Sequence, residues 1–379
     1  MGLPLASSEG ATGHAVTGAG SGHAKDRAPY TWTTARTMLP SLSRRGAHAF
    51  AIAVAVFACA DRPITAPAGP TPSPPAPDRP ATAPAYTNPV YPGDFADPFV
   101  LPSDSGYYAY ATNLGSANVP TLRSADLVTW TPLGDALPSL PSWAESGRSL
   151  TWAPAVIRME ESFLLLYTAR DRRSGLQCIG RAESAWAAGP FVDRGTAPFI
   201  CQTELGGSID ASVVRDSTGQ VYVVWKNDGN CCGKPVTIWS QRLAADGRRL
   251  VGPQAALLHR DQPWEGPLIE APTMWEEGGG WHILYSGNMW DTDRYATGRG
   301  SCESPLGPCR KLGAEPVMAS DGVTAGPGGA EVFTDDEGRR WMVYHGWNAS
   351  AVGYGRGGVR SLRLGPVPAQ PGGADVVPE

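Results

Sequence analysis

Three carboxylates stand at matching places in a repeated segment: Asp97 in FADPFVL, Asp210 in SIDASVV and Glu270 in LIEAPTMW. Each adjoins a short apolar run that reads as a buried strand. One such acid alone more often caps a turn or accepts backbone hydrogen bonds at a strand start. Three in corresponding segments call for another cause, because a structural repeat brings equivalent positions to a common axis. Carboxyl groups converging in an apolar setting supply the acid and the base that glycosidic bond hydrolysis requires.

The elements that must position these acids can be counted. Short strands with an aromatic near the end occur as YYAYAT, FLLLYTA, VYVVWKN, WHILYSGN and WMVYHGW. Their markers Tyr110, Tyr167, Trp225, Tyr285 and Tyr344 are spaced by 57, 58, 60 and 59 residues. Preceding strands keep the step at Asp97-Pro98, Ala153-Pro154, Asp210-Ala211, Ala271-Pro272 and Ala330-Glu331. A third strand follows each pair, as TLRSADL, CIGRAES, IWSQRL, ATGRGSC and GGVRSLRL. Self-similarity built from short strands with Gly and Pro turns predicts an all-β, five-bladed β-propeller. No helical apolar period is sustained here, which argues against an α/β barrel. Repeats two and five carry Ala153 and Ala330 where others carry acids, so the repeat itself does not demand acids.

The first 85 residues are of another kind, and a disordered signal and linker region is expected to precede the propeller. Residues 1–37 are rich in Gly, Ala, Ser and Thr and read as an upstream extension before the natural start at Met38. Residues 38–59 read as an export signal, with Arg44 and Arg45 before the apolar run Ala49 to Ala58, too short to span a bilayer. Val56-Phe57-Ala58-Cys59 has the form of a bacterial lipobox, whose Cys becomes the lipidated first residue; an ordinary cleaved signal is the alternative. Residues 60–85, rich in Pro, Ala and Thr, read as a semi-rigid spacer. The catalytic domain is expected over 86–379. A cell-envelope lipoprotein or a secreted protein follows, touching membrane only through Cys59.

Among 379 residues, 42% are hydrophobic and the net charge is −5 with scattered Lys and Arg, which excludes a basic nucleic-acid stripe. Most of the 13 Trp and 12 Tyr are expected as wedges between blades, and some as walls against a sugar ring. Besides Cys59 there are Cys178, Cys201, Cys231, Cys232, Cys302 and Cys309, an even count that suits disulfides in an exported domain. Cys302 with Cys309 is the first local pair and Cys178 with Cys201 the next. Adjacent Cys231 and Cys232 are left to bridge each other or remain thiols. No CxxC or neighbouring His gives these residues metal-ligand spacing.

FADPFVL, TWAPAVI, SIDASVV and LIEAPTMW, in this order, resemble family 43 glycoside hydrolases, as do SADLVTW, VYHGW and the closing GGVRSLRLGPV. The resemblance covers about residues 86–367 and implies a five-bladed propeller acting on arabinose- and xylose-containing polysaccharides. It implies Asp97 as general base activating water, Glu270 as general acid, and Asp210 as the acid that orients Glu270 and raises its pKa. Inversion would follow. It also implies Arg360 as a pocket residue, although Arg123, Arg181, Arg242 and Arg299 in other third strands leave open a repeat-wide role. Trp152 is a candidate sugar wall, or a blade-packing residue. His345 is a candidate for the substrate or a satisfied core imidazole.

Many members have GPGH before the last blade, facing an ion in the central channel; here GPGG spans Gly326 to Gly329, so no cofactor is expected and channel calcium is placed in doubt. Expected substrates are arabinan, arabinoxylan or derived oligosaccharides, cleaved by an α-L-arabinofuranosidase or arabinanase acting as a monomer. The rivals are a β-xylosidase or other furanosidase of the same architecture, and a non-catalytic sugar-binding propeller, against which the intact acid trio argues.

Overall fold

The computed structural model describes residues 85–147 and 150–368. The expected extension, export signal, Cys59 and the spacer up to residue 84 lie outside these residues. Among the described residues the chain forms β-strands and four short 3-10 turns, with no α-helix and so none to cross a membrane.

Strand β1 (Tyr91–Asp94) stands apart, and five sheets follow. Blade one holds β2 (Phe99–Ser103), β3 (Gly106–Tyr110), β4 (Pro120–Ser124) and β5 (Thr131–Asp135). Blade two holds β6 (Thr151–Arg158), β7 (Phe163–Arg170) and β8 (Gln177–Ser184). In blade three are β9 (Ser208–Arg215), β10 (Val221–Asn227), β11 (Thr237–Leu243) and β12 (Leu250–His259). Blade four has β13 (Ile269–Glu277), β14 (Gly280–Gly287), β15 (Ala296–Cys302) and β16 (Cys309–Lys311). Blade five has β17 (Thr324–Thr334), β18 (Arg340–Asn348) and β19 (Ser361–Pro366), and β1 completes it by pairing antiparallel with β19. The first strand thus closes the last blade. Asn88 reinforces the seam, donating to Leu364 O at 2.7 Å and accepting from Leu364 N at 2.9 Å.

Inner strands β2, β6, β9, β13 and β17 each touch the next, and β17 returns to β2. The expected five-bladed ring is complete. Its core is five wedges rather than one centre, because both faces of each blade must be covered. Phe99, Tyr110, Val156 and Tyr167 fill the gap between blades one and two. Leu166, Val223 and Trp225 fill the next, and Ile238, Met274 and Tyr285 the one after. Leu284, Val332 and Met342 join blades four and five, and Val100, Val343 and Leu362 join five and one. Two of the marker aromatics, Tyr167 and Tyr285, need a glycine opposite: a Cβ at Gly180 or Gly298 would come within 2.5 Å of them.

One local device repeats around the axis. A residue at or before each inner strand takes positive φ: Asp97 (50°), Ala153 (42°), Asp210 (57°), Ala271 (47°) and Gly329 (57°). Pairing shifts register there in blades two to five, as β-bulges do where they re-aim side chains. A left-handed residue other than glycine costs about 1–2 kcal/mol, and each N–H is fixed by a side chain from the neighbouring blade. Asp97 N donates to His345 Nδ1 (3.0 Å), Ala153 N to Thr112 Oγ1 (3.0 Å), Asp210 N to Thr168 Oγ1 (3.4 Å) and Gly329 N to Ser286 Oγ (2.9 Å). Thr112, Thr168, Ser286 and His345 share one place near the ends of the second strands, where blade three has Lys226. There Asp210 Oδ2 accepts the Ala271 N–H instead, at 3.0 Å.

This frame corrects two details of the repeat. The counterpart of Asp97 in blade five is Gly329, not Ala330. Glu270 stands one residue before the counterpart in blade four, Ala271.

Candidate active site

Two of the left-handed turns present their side chains, Asp97 and Asp210, at one mouth of the axis. Asp97, Asp210 and Glu270 line a single cavity of about 650 Å³, together with Trp152, Lys226, Asp228, Trp290 and Arg360. The three expected acids are therefore brought together, and Trp152 and Arg360 with them. Below lies a narrow space along the axis, of about 30 Å³, where Asp97 and Asp210 meet Ser212 and Glu331.

Asp97 is held as an anion. Thr112 Oγ1 donates to its Oδ2 at 2.6 Å, and Arg360 Nη1 stands 3.6 Å from Oδ1. Burial alone would raise its pKa, but the Arg360 charge and the Thr112 hydroxyl hold it below the usual carboxylate value. Arg360 is itself fixed: its guanidinium lies 4.4 Å from the Trp290 ring centre and its Nε donates to Tyr354 Oη at 3.1 Å. Tyr354 in turn donates to Asp94. Arg181 and Arg299 instead stand mid-strand, opposite Leu166 and Leu284. Arg360 precedes β19 and belongs to the cavity.

His345 does not reach the cavity, contrary to one of the two expectations for it. Its side chain is fully buried, its ring stacks on Tyr295 with 5.7 Å between centres, and Nδ1 accepts the Asp97 N–H. Because Nδ1 is an acceptor, the 3.4 Å approach to Asp97 Oδ1 is not an ion pair. Burial and the Arg360 charge push its pKa down to about 3, which keeps the ring neutral. His345 positions Asp97.

Glu270, at 9% exposure, is gripped on both oxygens. Lys226 Nζ stands 3.0 Å from Oε2, and Tyr295 donates to Oε1 at 2.9 Å. Lys226 is wholly buried, with Asp228 Oδ1 3.9 Å away. Asp210 is pushed up to about 8, first by burial, then by the charge of Glu270, with Asp97 adding to the rise and Lys226 opposing it. Lys226 and Tyr295 escaped the sequence reading. Lys226 is the last but one residue of β10, after five apolar or aromatic side chains, where a lysine reads as a solvated end. Tyr295 precedes β15 in a stretch with no periodic signal.

The disulfides are Cys178–Cys201, Cys231–Cys232 and Cys302–Cys309, and Cys231 lines the cavity. A calcium ion in the channel does not fit the residues present. Among the described residues no three His, Cys, Asp or Glu form a metal cluster. Gly329 offers no side chain, and a Cβ there would stand 2.6 Å from the His345 ring, which fills that space.

The chain matches the family model for glycosyl hydrolases family 43 over residues 86–373. Among curated proteins it is 26% identical over 272 residues to the beta-D-galactofuranosidase xynD of Aspergillus niger, covering 68% of this chain and 75% of that one. It is 24% identical over 281 residues to a probable arabinan endo-1,5-alpha-L-arabinosidase A of Aspergillus flavus, covering 68% and 83%. Among solved structures, a thermostable family-43 glycoside hydrolase superposes with a TM-score of 0.65 at 28% identity, covering 74% of this chain and 92% of that one.

Proposed function

The chain belongs to glycosyl hydrolases family 43, and from that premise we propose that its cavity hydrolyses α-L-arabinofuranosides, with Asp97 as base and Glu270 as acid. It is a glycoside hydrolase of arabinose- or xylose-containing glycans and works with inversion. One observation carries the assignment of roles: three carboxyls from three blades meet in one cavity, each held by different partners. Asp97, kept ionised beside Arg360, takes a proton from water as the water oxygen bonds to the anomeric carbon. Glu270 gives a proton to the departing glycosidic oxygen as the carbon–oxygen bond breaks. Asp210 is fixed through Ala271 N and Thr168, and because the charge of Glu270 raises it, the two carboxyls hold one proton between them near neutral pH, which Glu270 delivers. Trp152 and Trp290 offer aromatic faces to the sugar.

An arabinan-degrading relative and a furanosidase relative favour a furanose in this cavity. The second reading is a galactofuranoside, supported by the galactofuranosidase relative. Aryl α-L-arabinofuranoside, β-D-xyloside and β-D-galactofuranoside, with debranched arabinan, test this. Fastest turnover of the arabinofuranoside is expected, and preference for either other glycoside overturns the substrate. Export and a lipid anchor at Cys59 are proposed from Arg44, Arg45 and the apolar run alone. Labelled palmitate should mark the native protein and miss Cys59→Ala; an unlabelled, soluble native protein rejects the anchor. A monomer is proposed for the released domain, and a dimer on gel filtration overturns it.

A further inference from the structure

We propose that Lys226 is a positioning residue for Glu270 and that its charge sets the alkaline limit of activity. The proposal rests on the reading of Glu270 as general acid. Its basis is the series Thr112, Thr168, Lys226, Ser286 and His345. Four members fix the N–H of a left-handed residue in the next blade. In blade three that task passes to Asp210, which accepts the Ala271 N–H. Lys226 is thus released from the fold's own requirement and turned onto Glu270 Oε2 at 3.0 Å.

A wholly buried ammonium is costly unless compensated. Here Glu270, Asp210 and Asp228 all face it and keep it protonated against burial. Tyr295 holds the other oxygen of Glu270, while Arg360 and Asp97 form a separate ion pair on the base side. Lys226 is therefore the cation on the acid side of the cavity among the described lining residues. A positive charge beside a pair of carboxyls favours their ionised forms. It causes the proton needed for the leaving group to be lost at a lower pH than it otherwise would be.

Lys226→Gln keeps a hydrogen-bond donor and removes the charge. We expect the alkaline limb of kcat/KM on an unactivated arabinofuranoside to rise by about one pH unit or more. The acid limb, which belongs to Asp97, should stay. Lys226→Met, which also removes the donor, should show the same shift with a lower kcat. An unmoved alkaline limb in both variants overturns the proposal. Failure of both to fold overturns it too, since Lys226 would then be a structural partner. If instead Glu270→Gln loses equally on activated and unactivated glycosides, the reading of Glu270 fails, independently of the limb.

Discussion

Asp97 keeps its charge between the Thr112 hydroxyl and the Arg360 guanidinium, while His345 holds its backbone from behind. A base must be unprotonated, so activity should fall on the acid side only as pH drops through a value below the ordinary carboxylate range. Asp97→Asn should lower kcat by about 10²–10⁴-fold while calorimetric binding of arabino-oligosaccharides changes little; turnover near that of the unmodified chain would remove the role. Asp97, Asp210 and Glu270 were legible because each interrupts an apolar run where an acid has no packing reason to stand. Lys226 was not, because its meaning lies in a contact 44 residues away rather than in its own strand. The imidazole of His345 could be read as core or site, and only its burial decides between them.

The bulged inner strands are the elements that convert a repeat into a site. A plain pleat would alternate these side chains between faces, whereas the left-handed step turns Asp97 and Asp210 toward one mouth. Ser286→Ala leaves the buried Gly329 N–H without its partner and should cost about 1–3 kcal/mol of unfolding free energy. Unchanged denaturant midpoint and slope would show that the clasp is not stabilising. The first three strands of each blade were legible from aromatic spacing. The outermost were not: Thr131 to Gly134 of β5 are exposed, so no hydrophobic alternation marks them. Nor was β1, whose YPGD carries a proline and a glycine and becomes a strand only by pairing with β19.

At the scale of the molecule, five wedges and one closing strand hold a ring whose axis carries buried acids. Glu331 lies on that axis, buried and bonded by Ser212, and burial pushes its pKa up to about 8. An acid with a raised folded pKa contributes its stability below the unfolded value, and that contribution is lost as pH rises through about 8. Glu331→Gln should therefore lose less stability than the unmodified chain between mildly acidic and alkaline pH, as read by thermal unfolding. Parallel curves for the two proteins would show that Glu331 does not carry the proton.

The acids gathered by this ring divide their labour, with Glu270 giving the proton to the leaving oxygen. Glu270→Gln measured on two arabinofuranosides, one with an alkyl and one with a dinitrophenyl leaving group, tests it most directly. A loss of about 10²–10⁴-fold in kcat/KM is expected on the first, and a far smaller loss on the second, which departs without protonation. Equal losses on both would contradict it.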